Sequence, residues 1–301
     1  MKSKQPFGLW PSVISPEKVA SANPKLACLQ SHGERLFWVE SRPKDSSRNV
    51  IVSLSEDGLI EDILPPPYSH YSRVHEYGGM AYAIADNHLY FVNAEDQCIY
   101  QLEIGSNKQP VAITDIGSRF ADLIMDSANN RLIAVCEQHG DQGEPENYLA
   151  GISLDKNNHS LNRLVSGADF YAYPRISPDG KTLASGGNDG RLMIWDVKSG
   201  QCLHSLPGFG MILSIAYHPA GDVVACRDWL GRVRCCDSDS GELLRELVPN
   251  DHLGDQGVTL AFSPDGASMA MAGFGSGVQI WNSELAELQM DLAVPGRPAG
   301  V

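Results

Sequence analysis

Two markers that advance in step along the second half of the chain constrain its fold more than any other feature. Ser177-Pro178-Asp179-Gly180 recurs as His218-Pro219-Ala220-Gly221 and as Ser263-Pro264-Asp265-Gly266, at steps of 41 (218 − 177) and 45 (263 − 218) residues. Trp195-Asp196, Cys236-Asp237 and Trp281-Asn282 follow at the same two steps. Each repeat of that length is one small unit that must bury its apolar face against its neighbours. The first unit reads as four short strands over 173–177, 181–185, 192–196 and 202–206. Turns at Pro178-Asp179-Gly180, Asn188-Asp189-Gly190 and Lys198-Ser199-Gly200 separate them. Proline presets φ and glycine takes the positive-φ position, so these turns have a physical cause. The third strand, with Leu192, Met193, Ile194 and Trp195 in a row, suits a strand covered on both faces.

The first half keeps this rhythm with blurred markers. Strands are predicted at 26–30, 36–40, 49–54 and 59–64, then at 78–85, 89–93, 98–102 and 111–114, then at 121–125, 132–137, 148–154 and 161–165. Turn residues such as Ser31-His32-Gly33, Asp57-Gly58 and Ala128-Asn129-Asn130 lie between them. Three units plus three predict an all-β fold: a β-propeller of six four-stranded blades, as one domain over 1–301. Ser15, Pro16 and Glu17 add the signature of a helix start, which predicts a short N-terminal helix over 16–22 with Trp10 packing it onto the propeller. Blade six has its own outer strand, 286–292. The ring is therefore expected to close by side-chain packing between blades one and six, at its weakest joint, leaving 293–301 as a tail.

A net charge of −14, with neither half basic, argues against a surface that tracks phosphates. No apolar run is long enough to cross a membrane, and Met1-Lys2-Ser3-Lys4-Gln5-Pro6 is not followed by the apolar stretch of a signal peptide. Seven cysteines, an odd number without a regular framework, fit a reducing compartment. The expectation is a monomeric cytoplasmic protein whose partner is a protein or peptide, neither nucleic acid nor membrane.

Two resemblances follow from particular stretches. Trp10-Pro11-Ser12, Arg48-Asn49-Val50, Arg73-Val74-His75-Glu76-Tyr77-Gly78-Gly79, Arg119-Phe120-Ala121-Asp122 and Asp169-Phe170-Tyr171-Ala172 resemble the propeller of the prolyl oligopeptidase family, in its acylaminoacyl-peptidase and dipeptidyl-aminopeptidase branch. Blades one to three, 8–176, carry this likeness. Ser185-Gly186-Gly187-Asn188-Asp189-Gly190 followed by Ile194-Trp195-Asp196 resembles a WD repeat. Blades four to six, 177–292, are similar to WD repeats in degenerate form, without the Gly-His pair usual in that family. Both families use a string like 177–184 at one hairpin, and a change of style there implies a chimera, recombined in nature or in the laboratory.

The peptidase resemblance implies a catalytic triad in a hydrolase domain that follows the propeller. Such a domain needs a Gly-x-Ser-x-Gly elbow. The sequence has none, because Phe274 precedes Gly275-Ser276-Gly277 where the first glycine should stand. The chain also ends with its last blade. No catalytic, cofactor or metal residue is assigned, and the chain is expected not to be an enzyme. Arg73, His75, Glu76 and Tyr77 are candidates for a polar channel rim that takes a small ligand or peptide end. Placed on a strand, His75 and Glu76 would point to opposite faces, and a structural role in blade contacts is the favoured reading. Cys226 and Cys235 are expected to share a face, with Cys236 turned away; two thiols are too few for zinc. Ser185, Asp189, Trp195, Asp196 and Trp281 are expected to fasten turns to strands. The acidic loop 139–146 reads as a solvated hairpin tip, or less favourably as a binding lip. Three functions follow: a non-enzymatic chimeric scaffold without activity of its own, a protein- or peptide-binding module, or the accessory propeller of a serine peptidase lacking its hydrolase domain.

Overall fold

The computed structural model describes residues 24–76, 78–140, 143–155, 159–167, 171–248, 259–273 and 277–292. The predicted helix at 16–22, Trp10, Tyr77, the turn at 274–276 and the tail 293–301 lie outside the described residues.

The chain is a six-bladed β-propeller of four-stranded antiparallel blades, and within each blade the strands pair in sequence order. Blade one is β1 (Lys25–His32), β2 (Arg35–Arg42), β3 (Arg48–Leu54) and β4 (Ile60–Asp62). Blade two is β5 (Tyr82–Ala85), β6 (His88–Val92), β7 (Ile99–Glu103) and β8 (Val111–Ala112). Blade three is β9 (Ser118–Asp126), β10 (Arg131–Gln138), β11 (Glu146–Ser153) and β12 (Leu161–Ser166). Blade four is β13 (Ala172–Ile176), β14 (Thr182–Gly186), β15 (Leu192–Asp196) and β16 (Cys202–Leu206). Blade five is β17 (Ile212–Tyr217), β18 (Val223–Asp228), β19 (Val233–Asp237) and β20 (Leu243–Leu247). Blade six is β21 (Thr259–Phe262), β22 (Ser268–Gly273), β23 (Gly277–Asn282) and β24 (Leu288–Leu292). The first strands are innermost: β5 lies against β9, β9 against β13, β13 against β17 and β17 against β21.

Alternation along each strand sends side chains to two opposite faces, and each face meets the next blade. Phe37, Ile51 and Val52 pack with Leu89 and Phe91 between blades one and two. Val92 and Ile99 meet Leu132 and Ile152 between blades two and three. Ile133 and Leu149 meet Leu183 and Trp195 between blades three and four. Leu192 and Ile194 meet Ile215 and Val224 on the next joint, and Val233 meets Leu260 and Met269 on the last. Strand β15 thus supplies Trp195 to one joint and Ile194 to the other, as its unbroken apolar run predicts. Each fully buried Leu, Ile, Val or Phe contributes roughly 1.5–3 kcal/mol, so five joints of this kind hold six blades in a row.

The sixth joint differs. Among the described residues no buried apolar cluster joins blade six to blade one. Leu26 and Leu29 on β1 are each 68% exposed, and Leu288, Met290 and Leu292 on β24 are exposed as well. The packed closure expected from the sequence is not seen in these strands.

Three inner strands share a device that the sequence reading passed over. The pairing shifts between Ala27 and Gln30 on β1, between Ala121 and Ile124 on β9, and between Ala172 and Arg175 on β13. Each bulge contains a residue of positive φ straight after an alanine: Cys28 (55°), Asp122 (51°) and Tyr173 (52°). Such bulges bend a strand and re-aim one side chain.

Candidate functional site

The rim of the disc on blades two and three carries a compact ionic centre built around Glu137. This residue is the last but one of β10, opposite Arg119 on β9, and its side chain is only 5% exposed. One carboxylate oxygen accepts the backbone N–H of His75 at 2.7 Å, with the His75 Nδ1 at 3.4 Å. The other faces Arg119 Nη1 at 3.1 Å and His139 Nε2 at 2.5 Å. Arg119 Nη1 also donates to Glu76 at 2.6 Å and to the carbonyl of Arg73 at 2.9 Å. Hydrogen bonds to charged groups are the strong ones, so a single buried carboxylate fixes both the connector and the hairpin tip that meet here.

The position of His75 and Glu76 corrects the sequence expectation. They do not lie on a strand with side chains on opposite faces. They form a short 3-10 turn, Val74–Glu76, in which His75 (φ 53°) and Glu76 (φ 63°) are both left-handed. The turn brings Glu76 to Arg119 and His75 to Glu137, so the two residues reach the same ionic centre after all. The turn is anchored from behind. Gly78 has φ +77°, and a Cβ there would come 2.7 Å from the carbonyl oxygen of Ser72, which only glycine avoids. The Arg73 N–H donates to Gln97 at 2.7 Å and its guanidinium to the carbonyl of Ala94 at 3.1 Å, both on blade two. Burial outweighs Glu137 and lowers the pKa of His75, favouring the neutral imidazole. The hydrogen bond and charge of Arg119 lower that of Glu76. Glu76 keeps a side chain that is 78% exposed, and Arg73 is exposed too.

Sequence reasoning missed Arg119, Glu137, His139 and Asp122 as partners. Arg119 and Asp122 stood inside a quoted motif, but nothing in the motif shows where their side chains end. Asp122 is 7% exposed and accepts the N–H of Met80 at 2.8 Å and of Tyr173 at 3.0 Å. Its bulge therefore ties blades two, three and four at the inner strands. Burial raises its pKa against those two bonds and the nearby Arg175. Glu137 and His139 carry no motif; only the pairing of β9 with β10 brings them in.

The repeat residues of blade four make local hydrogen bonds. Trp195 Nε1 donates to Ser185 Oγ at 2.9 Å, with both residues buried. Asp189 accepts the N–H of Arg191 at 3.1 Å, and Asp196 accepts both the N–H and the hydroxyl of Ser199 at 2.6 Å. Trp281 lacks the equivalent serine, because Met271 stands there, and donates to Gln279 at 3.3 Å. In blade five the sites of Ser185 and Trp195 hold Cys226 and Cys236, and here the expectation is overturned. Cys226 pairs with Arg234, so the residue diagonal to it on the same face is Cys236 and not Cys235; a one-residue difference in register exchanges faces. Cys226 and Cys236 join the blade-four joint, while Cys235 faces blade six. Burial pushes the Cys235 thiol up to about 12 and that of Cys236 up to about 11. Among the described residues no group of three or more His, Cys, Asp or Glu is placed to hold a metal ion, and no helix is long and apolar enough to cross a membrane.

Comparison with known proteins supports both resemblances. The family model described as "WD domain, G-beta repeat" matches residues 152–196, which run from the end of β11 through β15. The small ribosomal subunit protein RACK1 of Caenorhabditis elegans is 31% identical over 106 residues, covering 31% of each chain. The cross-pathway control WD-repeat protein 2 of Flammulina velutipes is 33% identical over 105 residues, covering 33% of each. Among solved structures, a puromycin-hydrolyzing peptidase of Mycobacterium tuberculosis superposes with a TM-score of 0.77 at 26% identity, over 98% of this chain and 50% of the other. A puromycin hydrolase gives 0.78 at 22%, over the same shares. The chain thus spans half the length of these peptidases and about a third of the curated relatives.

Proposed function

We propose that this chain is a non-enzymatic propeller scaffold of mixed lineage that binds a protein or peptide at the rim around Glu76 and Arg119. The observation that carries the reading is the division of labour in the ionic centre. Glu137 is buried and surrounded by donors, so it serves to position its neighbours. Glu76 and Arg73 are exposed with charge to spare, so a partner's charged groups or backbone can reach them. Likeness to WD-repeat proteins along a third of the chain supports a binding role, since propellers commonly serve as loop-bearing platforms.

The chimeric origin belongs to the same proposal. The sharp repeat markers begin at Ser177, and the β13–β14 hairpin keeps its register there, with Ile176 opposite Leu183. Exchange at such a hairpin would leave strand pairing intact. The WD-type match starts 25 residues upstream (177 − 152), so on this reading the outer strand of blade three carries some of the same character.

The peptidase likeness favours a second reading: the chain is an accessory propeller that works with a hydrolase domain supplied by another chain. Two assays separate the readings. An affinity capture with the whole chain should return a stoichiometric partner that Glu76→Ala together with Arg73→Ala loses. A partner that binds both forms equally contradicts the rim. Acyl-peptide and aminoacyl reporters should stay uncleaved by the purified chain. Hydrolysis that survives rigorous purification contradicts the non-enzymatic reading.

A further inference from the structure

We infer that a cavity beside blade one is a binding site for a small carboxylate with an apolar body. The cavity, about 250 Å³ in volume, lies between β1, the adjoining ends of β2 and β3, and the connector that leads to blade two; Lys25, Cys28, Val39, Ser41, His70 and Tyr71 are among its lining residues. It is a different site from the ionic centre and shares neither Glu137 nor Arg119.

The central observation is His70. It is 4% exposed, and neither ring nitrogen has a hydrogen-bond partner among the described residues, with Nδ1 fully enclosed. A neutral imidazole offers one donor and one acceptor, and leaving buried polar groups unmade is costly. Packing alone accounts for the ring's place, since it sits edge-on to Tyr82 at 5.6 Å. Packing does not account for the nitrogens, and a group that enters the cavity can satisfy one of them.

Charge selects the class of ligand. In a chain of net charge −14, the described residues that line this cavity include a lysine and no Asp or Glu. Lys25 has no ion-pair partner among the described residues. The charge of Asp122 acts on Cys28, but the oxygens of Asp122 already accept the N–H groups of Met80 and Tyr173. A carboxylate is thus attracted by Lys25 and can accept an imidazole N–H, while Val39, Cys28 and Tyr71 cover an aliphatic body. The volume falls below that of the usual drug-sized pocket, roughly 300–1,000 Å³, which limits the ligand to about one amino-acid residue.

The probe is N-acetyl-leucine, with N-acetyl-leucine amide as the uncharged control and a pentaglycyl-leucine acid as the peptide-end form. Calorimetry on the full chain, paired with the imidazole NMR signals of His70, should show saturable binding of the acid and a shift of the His70 resonances. The amide should bind at least fivefold more weakly. Lys25→Gln should reduce affinity for the acid about fivefold, the upper range of a partly exposed ion pair. Lys25 is exposed, so the variant can be checked for intact fold by circular dichroism. If the peptide acid binds as well as N-acetyl-leucine, the site takes chain ends; if only the free acid binds, it takes small acids, and both results uphold the proposal. No saturable binding by either acid, the result for a cavity that holds only water, overturns it. So does binding that leaves the His70 signals still or that is insensitive to Lys25→Gln.

Discussion

Removing the carboxylate of Glu137 would leave Arg119, His139 and the N–H of His75 turned toward a gap at the rim. Breaking a largely buried charge contact in this way costs about 3 kcal/mol, so Glu137→Ala should lower the urea midpoint by that equivalent. Glu76→Ala, on a side chain that is mostly in solvent, should leave the urea midpoint nearly unchanged. Trp195 gives a second residue-level comparison. Its indole bond to Ser185 is buried, and Trp195→Phe should cost about 1 kcal/mol beyond any packing loss. A double-mutant cycle with Ser185→Ala should recover that coupling, whereas Trp281 and Gln279 should show almost none. His70 sets a pH dependence with a definite sign. Burial holds its pKa at about 4, against about 6.5 in the unfolded chain. The unfolded state therefore binds the proton first, and stability is lost as pH falls from 6.5 toward 4, by up to about 3 kcal/mol. His70→Phe should flatten the denaturation midpoint over that interval; an unchanged slope would show that other groups set it.

At the level of elements, the strands were legible because their punctuation has local causes. Pro-Asp-Gly and Asn-Asp-Gly turns specify hairpins whatever the rest of the chain does, and all four strands of blade four sit within a residue or so of their expected places. The turn at Val74–Glu76 was not legible, because its left-handed residues are a histidine, which only mildly favours positive φ, and a glutamate, which does not. The register of blade five failed by a single residue, enough to put Cys236 in place of Cys235 beside Cys226. The three bulges had a faint signal, an alanine before Cys28, Asp122 and Tyr173, visible only once the inner strands are aligned. Asp122 makes this device testable. Asp122→Ala removes the acceptor shared by Met80 and Tyr173, and amide exchange at those two positions should accelerate at least tenfold while the outer strands of the same blades keep their protection. Exchange that rises equally throughout the blades would contradict a local staple.

Across the whole molecule, five apolar joints run without a break past Ile176, the point at which the style of the sequence changes. The joint there is as well packed as its neighbours: Ile133, Val135 and Leu149 of blade three are sealed against Leu183 and Trp195 of blade four. Blades one and six are each backed on one side only among the described residues, so they should open first. The central claim is that sequence stretches of two kinds form one continuous stack of sheets. Hydrogen exchange by mass spectrometry at increasing urea tests it most directly, with peptides from β10 and β11 compared against peptides from β14 and β15. The two sets should lose protection at the same urea concentration, after the terminal blades have frayed. Two separated transitions, one for each side of Ile176, would contradict it.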